Sequence, residues 1–133
     1  MDKGYTLFLT EDWDLTLDGA GNIATAAREY AVAQNVANAV RLFTNDAYFA
    51  QNKGIPHMEI DLGQSPTVAM SIRTNRIKKA ALSIGGVTDA HVTLEMLEPL
   101  NSETDRQKEA TKRTLGGDII LTLENGLRAQ VQI

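Results

Sequence analysis

Cysteine is absent from the 133 residues, which excludes disulfides, thiolate metal sites and a cysteine nucleophile and leaves packing to supply stability. Histidine occurs twice, at His57 and His91, and tryptophan once, at Trp13. No apolar run approaches the roughly 20 residues that cross a bilayer, so no membrane role is expected. The start, MDKGYTLFLTEDWD, has one lysine and a very short apolar patch before three acids, unlike a secretory leader. Synthesis in the cytoplasm is the expectation. A surplus of basic charge is missing too: the net charge is -4 and the pI near 5.1, so no nucleic-acid partner is expected. Bases cluster locally at Arg73, Arg76, Lys78 and Lys79 and again at Arg106, Lys108, Lys112 and Arg113. Such runs read as solvated faces of helices and loops.

The usual catalytic sets are also lacking. No HExxH, GxSxG or Walker loop occurs, and GAGN is explained by a turn. A metal site at either histidine would need acidic ligands from separate elements, and no such spacing is visible. Glu11, Asp12, Asp14 and Asp18 cluster in sequence, and two acids at suitable separation can hydrolyse a glycosidic bond. Closeness along the chain sets neither that separation nor a raised pKa, and the run lacks the alternating ligands and closing glutamate of a calcium loop. These acids read as solvated hairpin residues, and no catalytic, cofactor or metal residue is expected. The alternative is a peptidoglycan-degrading enzyme using these N-terminal acids.

What is present is patterning. With 43% apolar and 23% charged residues, the chain suits one domain with one core. Tyr5, Leu7 and Leu9 alternate with Thr6, Phe8 and Thr10 as in a strand. Residues 15–17 and 22–24 flank DGAGN as a short hairpin, and Trp13 should anchor the sheet edge. In residues 27–46, Val32, Val36, Ala39, Val40 and Phe43 fall on one helical side, with Gln34, Asn38 and Arg41 opposite. NKGIPH breaks that helix and MEIDLG is a brief extended piece or loop. Ser65 can cap a second helix with Pro66 at its first position, ending near Ser83 before Gly85 and Gly86. That helix has two stripes: Met70, Ile77, Ala80, Ala81 and Ile84 on one side, Val68, Ile72 and Leu82 on the other. Either it is sandwiched between two layers of its own domain, or the second stripe meets another chain.

Residues 87–97 read as a strand with Val92, Leu94 and Met96 sharing a face. The clearest signal closes the chain. Ile119, Leu121 and Leu123 alternate with Ile120 and Thr122; Asn125 and Gly126 supply a type I′ turn; Leu127, Ala129, Val131 and Ile133 then alternate with Arg128, Gln130 and Gln132. The polar stretch between, at about 100–117, reads as a mobile loop or frayed helix. The expected fold is α+β: two main helices on a mainly antiparallel sheet, with N-terminal and C-terminal β-hairpins.

The order DWDLTLDGAGNIA, YAVAQNVANAVRLF, KGIPH, IGGVTDAHVTLE and a closing ENG resembles the small baseplate wedge proteins of contractile-tailed bacteriophages, often called lysozyme-like. The resemblance spans nearly the whole chain. Its most specific pieces are AQNVANAVRLF, followed after about a dozen residues by GIP, and GGVTDA before a strand. It departs where the family often has a Gly-Glu pair and an aromatic after LF; here TNDAYF stands, and Tyr48 keeps the aromatic. The ETDRQKEATKR stretch also looks longer than usual. The resemblance implies a non-enzymatic virion component, in several copies around the tail tube, that binds larger wedge subunits and the tail sheath protein. Val68, Ile72 and Leu82 are then candidates for a partner surface, and Leu127, Ala129, Val131 and Ile133 for a pairing edge.

Overall fold

The structure, a computed structural model, describes residues 5–57, 66–96, 104 and 115–133. Its elements are β1 (Tyr5–Leu7), β2 (Thr25–Ala27), α1 (Arg28–Arg41), α2 (Pro66–Leu82), β3 (Val87–Met96), β4 (Leu115–Leu123) and β5 (Arg128–Gln132). β1 and β2 pair antiparallel, and β3, β4 and β5 form an antiparallel meander in that order. The fold is α+β, as the sequence patterns predict. MEIDLG, Ser65, Leu97 and the second basic cluster lie outside the described residues.

The core forms where three periodicities meet. Ile119, Leu121 and Leu123 of β4 are fully buried, beside Ala90 and Val92 of β3 and Val131 of β5. Facing them are Val32, Val36 and Val40 of α1 with Ile77 and Ala81 of α2. Each large side chain so buried contributes about 1.5–3 kcal/mol relative to an exposed one. The opposite sheet face carries His91, Ile120, Arg128 and Gln130, all exposed. A sheet covered on one face only gives the clean alternation legible in residues 119–133.

Two boundaries differ from expectation. β4 begins at Leu115, so the predicted loop at 100–117 gives up its last residues to a strand, with Leu94 opposite Gly117. Glycines hide this strand because they mark no face. Gly117 is required there: a Cβ would lie 2.9 Å from Leu94 Cδ2 and run into the Thr93 carbonyl. The closing turn is also not type I′. Gly126 alone has positive φ, +79°, while Asn125 does not, and Leu123 N–H donates to Leu127 O across a three-residue loop. That is a type I turn closed by a left-handed glycine. Asn125 stays in ordinary backbone space because its side chain is engaged, Oδ1 accepting from Leu127 N–H and Nδ2 donating to Glu29.

α1 ends at Arg41, and Phe43, expected on its apolar stripe, instead forms a parallel bridge with Ile55 and is 43% exposed. The KGIPH motif makes that stop. Gly54 (φ +102°) passes so close to Phe43 that a Cβ would sit 2.5 Å from its carbonyl oxygen. Ile55 then enters the core, 3% exposed, and its N–H donates to Leu42 O. His57 places Nε2 3.0 Å from the Val40 carbonyl and its ring 4.9 Å from that of Phe43. The histidine thus occupies a helix C-terminus, where otherwise unpartnered carbonyls need donors.

α1 lies between the meander and a small N-terminal β layer. Gln34, expected on its solvent side, is buried at 8%. Its Nε2 donates to Leu7 O at 2.6 Å, and its Oε1 accepts from Leu9 N–H at 2.9 Å. A side-chain amide here acts as a peptide group and completes the unpaired edge of the first strand. The same layer sets Phe8 against Tyr30, stacked at 5.2 Å.

Candidate protein-binding site

The four N-terminal acids are exposed on the β layer. Asp14 Oδ1 accepts from Leu15 N–H, and Asp18 Oδ1 accepts from both Ala20 and Asn22 N–H at 2.9 Å. Asp18 therefore closes the DGAGN turn. The backbone donors of Asn22 and then Ala20 hold its carboxyl below the ordinary carboxylate value, burial opposing them weakly. A depressed folded-state pKa means that the turn's extra stability is present above the unfolded value and is lost as pH falls through the folded one. An NMR titration should show the Ala20 and Asn22 amides moving together with Asp18, at a pH below that of a free aspartate. Movement at the ordinary value would show that the turn is not closed this way. The acids offer hydrogen-bond acceptance and negative charge. His91 stands exposed on the outer sheet face, and among the described residues no group of three or more His, Asp or Glu could hold a metal.

The residues predicted to bind partners divide. On α2, Val68 and Leu82 are 46% and 42% exposed, whereas Ile72 is half-buried and packs partly against the core. Ile72 is drawn in because α2 packs against both α1 and β3, which widens its covered arc. Of the predicted pairing-edge residues, only Leu127, just before β5, is exposed; Val131 is in the core, and Ala129 and Ile133 pack against it. Ile133 and Gly117 exchange backbone hydrogen bonds, and Leu127 O accepts from Leu123 N–H. Backbone direction alternates along a strand, so residues 127, 129, 131 and 133 turn theirs toward β4. The side of β5 away from β4 is carried by Arg128, Gln130 and Gln132, the residues that sequence reading set aside as the polar face.

That outer edge is partly occupied. Arg41 Nη2 donates to Gln132 O at 3.4 Å, and the Arg41 guanidinium sits 3.9 Å above the Trp13 ring. Trp13, at φ +62° and 40% exposed, thus does anchor an edge, through a cation–π contact that its position in the sequence does not reveal. Beside it runs a groove of about 490 Å³, with residues 130–132 on one wall, residues 9–11 on the other and Ala33 and Ala37 of α1 among its lining. The small side chains leave space beside the β5 edge, and the arrangement can accept an extended chain by backbone hydrogen bonding.

On α2, Arg76, Lys78 and Lys79 are exposed, as the charge pattern predicts, whereas Arg73 is half-buried with its Nε out of solvent. No described helix is long and apolar enough to cross a membrane. No protein-family model matches the chain, and no curated protein matches it.

Proposed function

We propose that the chain is a non-enzymatic structural component of a contractile phage tail baseplate, present in several copies around the tail tube. It binds larger wedge subunits and helps to start assembly of the tail sheath protein. The motif order from DWDLTLDGAGNIA to the closing ENG supports this reading. The observation that carries it is β5, which ends the meander and turns the backbone of Arg128 and Gln130 away from β4 beside a groove. Such an edge recruits a neighbour's strand. Leu127 at the hairpin supplies an apolar contact beside it, and Val68 and Leu82 on α2, which packs on β3 and α1, supply a second, separate one.

Gln130→Pro tests the edge. Proline removes the outward N–H, and an edge strand tolerates it there, whereas deleting residues 130–133 would remove buried Val131 and unfold the meander. The variant should keep its melting temperature within a few degrees and lose incorporation into purified contractile tails, which should contain the wild-type chain. Wild-type tails without the chain, or tails that incorporate the variant normally, would overturn the reading. So would peptidoglycan turnover by the purified chain that is abolished by Asp12→Asn or Asp14→Asn.

A further inference from the structure

The N-terminal β layer has a second side. Tyr5 pairs opposite Ala27 and Leu7 opposite Thr25, while Leu9 bridges Leu15 and Leu17 bridges Ile23. Residues directly opposite share a face, and alternate residues along a strand share it too. Tyr5, Leu7, Leu15, Leu17 and Ile23 therefore lie on one side. They are 72%, 49%, 50%, 65% and 52% exposed. The other side, with Phe8, Ala24 and Ala26, is half-buried or buried against α1. Solvent-facing strands ordinarily carry polar residues on the outer side; here the outer side carries large apolar ones.

Charge narrows what covers that face. Residues 5–27 contain Glu11, Asp12, Asp14 and Asp18 and no lysine, arginine or histidine. The other 13 acidic residues of the chain balance its 13 basic ones, so this layer carries the whole formal surplus of -4. A second copy would bring four carboxylates against four, and an anionic lipid surface would be repelled in the same way. The inner side shows the fit, since α1 already lies across these strands, and strand spacing is the same from either side.

We infer that the outer face of the N-terminal β layer docks an amphipathic helix of another protein, one whose apolar stripe is flanked by lysine or arginine. The helix covers Tyr5, Leu7, Leu15, Leu17 and Ile23, and its bases meet the acids at residues 11–18. Its apolar residues lie outside the lining of the groove beside the β5 edge, with Glu11 common to both surfaces, and the inference does not depend on the tail reading.

The full chain is titrated with a synthetic amphipathic helix of leucine and lysine and with its leucine–glutamate counterpart, with the fluorescence of Trp13 as readout. The leucine–lysine peptide should bind at least tenfold more tightly, and less so as salt rises. Leu17→Thr with Ile23→Thr keeps strand propensity and all charge, and should abolish binding at an unchanged melting temperature. Glu11→Gln with Asp12→Asn keeps the apolar face and should weaken binding about three- to tenfold. Equal affinity for both peptides, or binding that survives the threonine substitutions, would overturn the inference. Self-association of the chain that the threonine substitutions abolish would replace it with a second copy. Binding to phosphatidylglycerol vesicles with the same sensitivity would replace it with a membrane.

Discussion

Gly54→Ala should destabilise the fold by about 2–6 kcal/mol. Two costs add. A non-glycine residue at φ +102° is strained by about 1–3 kcal/mol, and a methyl group 2.5 Å from Phe43 O and 2.8 Å from Thr44 N forces the bridged segments apart at about 1–3 kcal/mol more. The segment cannot yield cheaply, because Ile55 is buried and its backbone is bonded to Leu42 and Thr44. Urea denaturation measures the effect, with Gly19→Ala as control, since a Cβ at Gly19 meets nothing within 4 Å. A loss below about 1 kcal/mol at Gly54 would mean that the close approach to Phe43 is not kept in solution.

Gln34→Ala should cost about 2–4 kcal/mol and do so locally. The substitution orphans Leu7 O and Leu9 N–H together, each worth about 1–3 kcal/mol when left unmade, less where water reaches it. Hydrogen exchange reads it directly: the Leu9 amide should lose protection while the amides of Ile119 and Leu121 in β4 keep most of theirs. Gln34→Glu should do at least as much damage, because it replaces the Nε2 donor with a second acceptor facing the Leu7 carbonyl. Uniform loss of protection across β4 would show instead that the N-terminal layer and the meander open as one unit.

Both sites were only half legible beforehand. KGIPH was visible as a break, since glycine and proline punctuate any chain, but not as the clamp that ends α1 and seats His57 on Val40. Sequence places Gln34 on the solvent side because helical projection sorts residues by polarity, and one buried polar side chain on a helix covered from two sides is invisible to it. The same reason explains Ile72, which angle places on a second stripe and packing of α2 on two neighbours draws half inside. Leu115, Gly116 and Gly117 read as loop in the sequence because glycine carries no facial signal. The pattern of residues 127–133 predicts a pairing edge on the residues with apolar side chains. In a strand next to a core, those are the residues whose backbone faces the neighbouring strand here, so the polar residues hold the outer edge.

The alternation in residues 119–133, the two helices with their stripes and the α+β class were determined by the sequence alone. Period-2 and period-3.6 burial are written residue by residue wherever a single face is covered. Tertiary structure alone decided which polar group replaces a missing strand, which arginine stacks on Trp13 and which apolar face stays uncovered. Those outcomes depend on the number of layers that meet at one element and on which backbone groups are left over, and neither quantity is encoded in any local run of residues.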